Sequence, residues 1–292
     1  MDFATLLERG KIILFDGAMG TQLDKRGLMG RGRCNLDASE AVLEIHKEYV
    51  QSGCQALTTN TLTMNRIYIE THNVGVSVQE VNLAGAKLAR QAAGDAVCVL
   101  GDISSTGQLL EPYGTFKESA FYDAYKEQAG ILAEAGVDGF VVETMFDLRE
   151  AVCAVRACKD NFPLPVIASI AFFTETKGAR TMMGNSAQNC VNALTDAKAD
   201  VIGANCGSID PQQMAVIVSM IRSMTNLPII AQPNAGKPAL IEDKTVFDMS
   251  PEAFAEGIKE CVQAGAGLVG GCCGTTPAHI RKAAELLREE LQ

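Results

Sequence analysis

The chain has 292 residues and a formal charge of −10 at pH 7, because 35 Asp and Glu outnumber 25 Lys and Arg. An acidic surface repels phosphate backbones and anionic lipid, which argues against nucleic acid or a membrane as the main partner. No apolar run approaches the roughly 20 residues that span a bilayer, and the N-terminus has no signal-peptide pattern, so a cytoplasmic globular protein is expected.

Short apolar runs rich in Val and Ile recur along the chain, separated by segments with helical periodicity. Near-continuous apolar runs predict parallel strands that are buried on both faces. The predicted strands cover residues 12–16, 55–59, 97–102, 139–143, 166–171, 201–205, 229–232 and 268–272. Ser250-Pro251 and Thr276-Pro277 predict helix starts, since each joins an N-cap residue to a proline at the first helical position.

Eight strand–helix repeats in one chain of this size predict an α/β fold, the (β/α)8 TIM barrel. A doubly wound open sheet has the same alternation and is the alternative. No linker-like segment or charge block divides the chain, so a single domain over residues 1–292 is expected. The polar segments 29–37 and 236–249 are predicted as long loops at the rim of the barrel or over its mouth.

A recurring spacing of seven residues places four side chains at the ends of predicted strands. Each pair joins a small residue that can end a helix to a residue at the end of the next strand. The pairs are Gly53 and Asn60, Gly136 and Glu143, Ala199 and Cys206, and Gly265 and Cys272. Because the carboxyl ends of barrel strands converge on one face, the second members of these pairs are expected to share one mouth.

Three of the ten cysteines stand out. Most of the others lie in apolar surroundings, as Cys98 does in VCVLGD, and are predicted to be small buried side chains. Cys206, Cys272 and Cys273 end two predicted strands, and flanking glycines let the chain leave strand geometry so that adjacent cysteines can face one ligand. Three thiolates favour zinc and leave the open fourth position of a catalytic site. The alternative is a packed Cys206 and a redox-active vicinal pair.

With these motifs the chain resembles the homocysteine S-methyltransferase family, which includes the homocysteine-binding domain of cobalamin-dependent methionine synthase. The resemblance covers nearly the whole chain, and its most specific motif is GGCCGTTP at 270–277. The other motifs are DGAMGT at 16–21, TTNT at 58–61, GDISSTG at 101–107, ETMFDL at 143–148, GANC at 203–206 and PNAGKP at 233–238. Family members are (β/α)8 barrels, which agrees with the strand count.

The resemblance implies that Cys206, Cys272 and Cys273 bind one catalytic zinc ion. The sulfur of homocysteine would occupy the fourth position, deprotonated by the metal, and would attack the methyl group of an activated donor. Asn234 matches a family position near the metal, and its amide oxygen would fill the open site before the substrate arrives.

The resemblance also implies substrate contacts. Asp16 and Glu143 would bind the ammonium group of homocysteine, and the backbone N–H groups of Ala18 and Met19 would be available to its carboxylate. The alternative for Asp16 is an Asx turn. An ionisable group that ends the apolar run GFVV is costly without a partner, which favours a functional role for Glu143. Asp102 is assigned only to shaping the pocket.

The predicted reaction yields methionine from homocysteine, with a corrinoid partner protein or module as methyl donor. ETMFDL and PNAGKP look most like the methionine synthase type, and no histidine here has the D-x-H-x-x-G context that would bind a corrinoid directly. An aromatic cage for betaine prefers Trp, which is absent. The alternatives are S-methylmethionine as donor, another small thiol as acceptor, or a module that binds zinc or a thiol without turnover.

Overall fold

The computed structural model describes residues 3–241 and 244–291. The strands are β1 (Ile13–Leu14), β2 (Ala56–Thr58), β3 (Cys98–Ile103), β4 (Gly139–Met145), β5 (Val166–Ile170), β6 (Phe172–Thr174), β7 (Arg180–Thr181), β8 (Val201–Asn205), β9 (Ile229–Gln232), β10 (Ala239–Ile241), β11 (Lys244–Val246) and β12 (Leu268–Val269).

The helices are α1 (Phe3–Glu8), α2 (Gly20–Lys25), α3 (Cys34–Asp37), α4 (Ser39–Gln51), α5 (Arg66–Thr71), α6 (Val78–Ala93), α7 (Glu118–Glu134), α8 (Leu148–Lys159), α9 (Ala187–Asp196), α10 (Pro211–Arg222), α11 (Pro251–Gln263), α12 (Pro277–Leu286) and α13 (Arg288–Leu291). Helices α11 and α12 start where the Ser-Pro and Thr-Pro pairs predict. Over residues 3–241 and 244–291, no helix is long and apolar enough to cross a membrane.

Eight parallel strands form the central sheet in the order β1-β12-β9-β8-β5-β4-β3-β2. A parallel bridge between Phe15 and Ala56 brings the two edges of the sheet together. Across the same junction the Gln55 N–H donates to the Leu14 carbonyl at 2.7 Å. Helices surround this ring of strands, so the predicted single-domain (β/α)8 barrel is confirmed and the open doubly wound sheet is wrong.

The inside of the barrel is filled by apolar side chains. Strand residues alternate between the interior and the surrounding helices. The interior cluster from the strands consists of Ile13, Phe15, Ala56, Cys98, Leu100, Val141, Ile167, Val201, Ile230 and Leu268. Phe3 of α1 joins it and packs edge-to-face on Phe15, with ring centroids 6.1 Å apart. Helix α1 therefore closes the amino end of the barrel.

Polar groups replace the apolar ones at the next inward positions toward the carboxyl ends of the strands. These positions, called the polar ring below, are Thr58, Asp102, Glu143, Ser169 and Gln232, together with Asn205, which is one inward position further along β8 because Gly203 precedes it. Because strands alternate with a period of two, the ring faces the same interior as the apolar cluster. The apolar interior therefore gives way to polar side chains at the carboxyl end of the barrel. Catalytic residues are found at this end in (β/α)8 barrels.

The structure corrects several predicted segments. The last barrel strand was predicted to reach residue 272 but ends at Val269, and the chain leaves strand geometry before the two cysteines. Segment 29–37 contains a 3-10 turn and α3, and segment 236–249 contains the β10–β11 hairpin, with residues 242–243 outside the described part of the chain. The β6–β7 hairpin was not predicted. Elements this short carry too few residues for a periodic signal.

Gly203 of β8 is expected to tolerate no side chain, because an added Cβ would overlap the carbonyl oxygen of Ile230 on β9. Gly203→Ala should lower the free energy of unfolding by about 3 kcal/mol, since the two strands must separate to make room. Gly267→Ala is the matched control, because a Cβ there meets nothing within 4 Å. Urea unfolding measures both variants, and equal losses would contradict the explanation.

Candidate active site

A cavity of about 280 Å³ opens above the polar ring. Its lining includes the predicted residues Ala18, Met19, Asn60, Asp102, Glu143, Cys206, Cys272 and Cys273. The four positions marked by the seven-residue spacing therefore share one mouth, as expected. Asp16 and Asn234 lie deeper, with 3% and 1% of their surfaces exposed.

The three cysteines predicted to bind a metal lie together. Their sulfur atoms are all within 4.8 Å of one another, and Cys206 Sγ is 3.9 Å from Cys273 Sγ. Tetrahedral zinc with bonds of about 2.3 Å would place its sulfur ligands about 3.8 Å apart, so the donor set fits. Hydrogen bonds from the thiols of Cys206 and Cys272 lower the pKa of Cys273 to about 3. The other cysteines are buried: Cys34, Cys54, Cys98, Cys153, Cys158, Cys190 and Cys261.

The backbone at the end of β9 holds both cysteine-bearing segments. β9 lies between β8, which ends just before Cys206, and β12, which precedes Cys272. The donor–acceptor distances are 3.1 Å from the Cys206 N–H to the Gln232 carbonyl, 2.9 Å from the Cys272 N–H to the Pro233 carbonyl and 2.9 Å from the Ala235 N–H to the Cys273 carbonyl. Peptide groups of β9 and of the residues after it therefore bring the three sulfurs together.

Three non-glycine residues at the mouth have left-handed backbone geometry: Arg31 with φ 51°, Thr144 with φ 58° and Cys206 with φ 53°. Such angles are rare outside glycine and costly for a β-branched side chain. The Asn205 side chain holds Thr144 in place, accepting from its N–H at 2.9 Å and donating to its hydroxyl at 2.8 Å. The same amide lies 3.4 Å from Glu143 Oε2 and 3.9 Å from Cys272 Sγ.

Asn205 thus links the carboxylate of Glu143 to the sulfur site, and sequence reasoning missed it. The available signal was an amide side chain at the inward-facing end of the otherwise apolar run VIGAN. The amide also accepts a hydrogen bond from the Ser169 hydroxyl at 2.8 Å, so its orientation is fixed by the polar ring.

Asp16 is a buried carboxyl group at the end of β1. It accepts hydrogen bonds from the Thr58 N–H at 3.0 Å and from the Thr58 hydroxyl at 3.2 Å. Burial raises the pKa of Asp16 to about 8, opposed by the Thr58 N–H and reinforced by the charge of Glu143. Loss of water contact, followed by the charge of Cys273, raises the pKa of Glu143 to about 7. These two groups therefore favour a cation as their partner.

The loop after Asp16 is held against the GGCCGTT segment. The Ala18 N–H donates to Thr275 Oγ1 at 2.9 Å, and the Thr275 hydroxyl donates to the Cys272 carbonyl at 2.6 Å. The Tyr49 hydroxyl donates to the Ala18 carbonyl at 2.8 Å. The Ala18 N–H is therefore engaged by Thr275, whereas Met19 directly precedes the first turn of α2 and lines the cavity.

Asn234 has an unused acceptor. Its Nδ2 donates to the Gly207 carbonyl at 3.0 Å, while its buried Oδ1 has no hydrogen-bond partner among the described residues. A buried oxygen without a donor is costly, so it marks a place where a ligand or metal fits. Its neighbour Ala235 bonds to Cys273. The predicted role of Asn234 beside the metal stays a prediction.

The mouth has two chemically different halves. The sulfur half follows the neighbouring strands β8, β9 and β12 and carries the three cysteines. The acidic half follows β4, β3, β2 and β1 and carries Glu143, Asp102 and Asp16. A ligand with a thiol at one end and a positive charge at the other would be oriented by this division.

Comparisons with known proteins converge on one family. The family model for homocysteine S-methyltransferase matches residues 13–287. The methionine synthase of Mycobacterium tuberculosis is 30% identical over an alignment of 295 positions, which covers 94% of this chain and 24% of that protein. The methionine synthase of Mycobacterium leprae is also 30% identical, over 96% of this chain and 24% of that protein. The chain thus spans about a quarter of the length of these curated relatives.

Solved structures are similar in fold. The metallated form of the Escherichia coli homocysteine methyltransferase MmuM has a TM-score of 0.78 at 21% identity, covering 96% of this chain and 98% of that chain. A methyltransferase from Methanosarcina mazei has a TM-score of 0.58 at 12% identity, covering 96% of this chain and 94% of that chain. At these identities the likeness supports the barrel architecture alone.

Proposed function

Because the chain belongs to the homocysteine S-methyltransferase family, we propose that it transfers a methyl group from an activated donor to the thiol of homocysteine, giving methionine. Membership confirms both the family indicated by the motifs and the expected enzyme class, thiol methyl transfer. The observation that carries the substrate assignment is the division of the mouth into a sulfur half and an acidic half. Homocysteine carries a thiol and an ammonium group on one short chain, and each matches one half.

Cys206, Cys272 and Cys273 are the proposed zinc ligands, since three sulfurs at this spacing are a donor set that zinc prefers. When bound, zinc supplies the chemistry that keeps a fourth thiol deprotonated and nucleophilic at neutral pH. The unpaired Oδ1 of Asn234 is proposed to lie against this centre when no substrate is present.

Asp16 and Glu143 are proposed to bind the substrate ammonium. Burial raises the pKa values of both groups, and a cation beside them would favour their charged forms. The backbone at Ala18 and Met19 is proposed to face the substrate carboxylate, with the Ala18 N–H shared with Thr275. Holding the polar end of the amino acid in this way leaves its sulfur aimed at the cysteines, a positioning effect that lowers the entropic barrier to transfer.

A corrinoid-carrying protein or module is the proposed methyl donor. The ETMFDL and PNAGKP motifs look like the cobalamin-dependent type. In addition, many exposed large apolar side chains lie on segments that follow the barrel strands at the mouth: Met29, Leu109, Tyr113, Phe146, Phe173, Met182, Met183 and Leu240. Apolar side chains exposed together around a site are typical of a surface that another protein covers.

The proposal is tested by incubating the zinc-loaded protein with homocysteine and one donor at a time: methylcobalamin, S-methylmethionine or betaine. Methionine is expected with methylcobalamin. If methionine forms with S-methylmethionine instead, the proposed donor is wrong and the proposed acceptor, homocysteine, stands. If no donor gives methionine although the protein contains about one zinc per chain, the proposed activity is wrong.

The donor surface makes a separate prediction. The double variant Tyr113→Lys/Leu240→Lys should lower kcat/KM for a methylated corrinoid protein by about tenfold or more, because its apolar contacts are lost. Turnover with free methylcobalamin should be unchanged, since a small donor does not depend on contacts with the exposed apolar side chains around the mouth. Val216→Lys, an exposed apolar position on α10, is the control. An equal loss of kcat/KM with the corrinoid protein and with free methylcobalamin would contradict the docking of a protein on these exposed side chains.

A further inference from the structure

We propose that Asp102 is a specificity-determining residue, whose carboxyl group completes with Asp16 and Glu143 a three-acceptor site that selects thiols bearing a primary ammonium group. The inference rests on the proposed function and deepens it, because it concerns which thiols the same cavity accepts.

Asp102 is fixed in place and lacks a partner. It belongs to the polar ring, lines the cavity and is only 5% exposed, yet its Oδ1 has no hydrogen bond within the described part of the chain. Its N–H donates to Thr59 Oγ1 at 2.9 Å, and its carbonyl accepts from the Thr61 hydroxyl at 2.7 Å. Because both backbone groups are anchored, the residue is held at the wall of the cavity. A buried oxygen without a donor is costly, so Oδ1 marks a place where a ligand fits.

Gln232 provides the contrast within the polar ring. Its Oε1 is also buried and unpaired. An amide can exchange the positions of its oxygen and nitrogen, so an unpaired atom there is a weak indication of a ligand. Both terminal atoms of a carboxyl group are oxygens, so the unpaired atom of Asp102 cannot be explained by such an exchange. β3 and β9 are four places apart in the ring of eight strands, so Asp102 and Gln232 stand on opposite walls.

No basic side chain of the described cavity wall forms an ion pair with a carboxyl group of the acidic half. Among its described lining residues the basic side chain is Arg31, which pairs with Asp24 at 3.1 Å and lowers the pKa of Cys273 on the sulfur half. Burial, then the charge of Glu143 and then that of Asp16, raises the pKa of Asp102 well above its usual range. Such a group of carboxyls is satisfied when a positive charge enters.

A primary ammonium group suits this arrangement because it has three N–H donors and a full charge in a small volume. Asp102 and Glu143 line the cavity, Asp16 is buried beyond its lining, and the charges of the three groups act on one another, so one ammonium group is proposed to satisfy all three. A thiol without the amino group would leave Asp102 Oδ1 without a donor and the three carboxyl groups without a cation, which is costly. We therefore expect the carboxyl group of Asp102 to make the cavity select thiols that carry an α-amino group over thiols that lack one.

The test compares Asp102→Asn with the unaltered zinc-loaded protein on two thiols, homocysteine and 4-mercaptobutanoate, which lacks the amino group. The variant keeps the shape of the side chain and removes its ability to ionise beside a bound cation. For homocysteine, KM should rise about 10- to 100-fold, with kcat within about threefold. For 4-mercaptobutanoate, KM should stay the same or fall. Zinc content should not change, and Asp123→Asn, an exposed carboxyl group on α7, is the control.

Equal increases in KM for both thiols would show that Asp102 acts only through the structure, and no increase for homocysteine would overturn the inference. Calorimetric binding of the two thiols makes the same comparison without turnover. If the unaltered protein binds homocysteine no better than 4-mercaptobutanoate, the inference fails. If it binds homocysteine selectively but forms no methionine with any donor, the proposed function fails and the selectivity of Asp102 is still measured.

Discussion

Cys206→Ser is expected to reduce the zinc content from about one ion per chain to less than about a tenth of that, because a hydroxyl is a poor substitute for a thiolate ligand. Methionine formation should fall by at least about a thousandfold, since the thiol of homocysteine, with a pKa of about 8.5, is mostly protonated at neutral pH without the metal. Elemental analysis of the purified protein and a methionine assay measure the two effects.

The control for this prediction is Cys153→Ser on α8, a buried cysteine far along the chain from the three clustered sulfurs. It should keep both zinc and activity. Cys272→Ser should behave like Cys206→Ser, and thermal unfolding monitors whether each variant folds. Zinc retained at about one ion per chain in Cys206→Ser would rule out the proposed ligand set.

Asp16→Asn is expected to lower kcat/KM for homocysteine by about 100- to 1,000-fold without changing the zinc content, because a buried charge partner of the substrate ammonium is removed. The amide can still accept a hydrogen bond from the Thr58 N–H, so the loop after β1 should keep its position. Asp123→Asn removes one exposed charge and should leave kcat/KM unchanged. A small effect of Asp16→Asn on kcat/KM would move the ammonium site elsewhere.

The same substitution should change how stability depends on pH. In the unfolded chain Asp16 loses its proton near pH 3.8, whereas in the folded protein burial raises its pKa to about 8. The contribution of Asp16 to stability is therefore complete below about pH 4 and is lost as the pH rises to about 8. Asn has no proton to lose, so the ligand-free variant should gain stability relative to the unaltered protein over this range, by a few kcal/mol at roughly 1.4 kcal/mol per unit of pKa shift.

Chemical unfolding of the zinc-loaded, substrate-free protein at pH 5, 7 and 9 measures this difference. The two proteins should differ least at pH 5 and most at pH 9. A difference that is constant with pH would mean that the Asp16 carboxyl group is ionised throughout and that burial does not control its pKa.

The barrel was predictable because its strands are buried on both faces and read as apolar runs, and the predicted bounds of β8 and β9 coincide with those observed. The end of β12 was not, because the strand stops at Val269, and a hydrophobic pattern does not record where strand pairing ends. The β6–β7 and β10–β11 hairpins lie outside the barrel and are too short to have a period.

In the site, the meeting of Cys206 with Cys272 and Cys273 could be predicted from chemistry and topology together, since parallel strand ends converge and three thiolates are a donor set suited to one metal. The clamp of Asn205 on Thr144 joins β8 to β4 across the intervening strand β5, between residues 61 positions apart in sequence. A left-handed Thr is stable only when tertiary contacts hold it. Local sequence therefore gives no sign of it.

The hold that the end of β9 exerts on the cysteine-bearing segments runs through peptide groups, which every sequence possesses. The side chain at Gln232 is consequently separable from the geometry of the sulfurs, whereas Asn234 is proposed to face the metal. Position 232 can therefore be altered to suit a different acceptor molecule without changing the backbone bonds that hold the three cysteines. Because the backbone holds the cysteines and side chains line the cavity, a barrel of this kind can change its substrate and keep its chemistry.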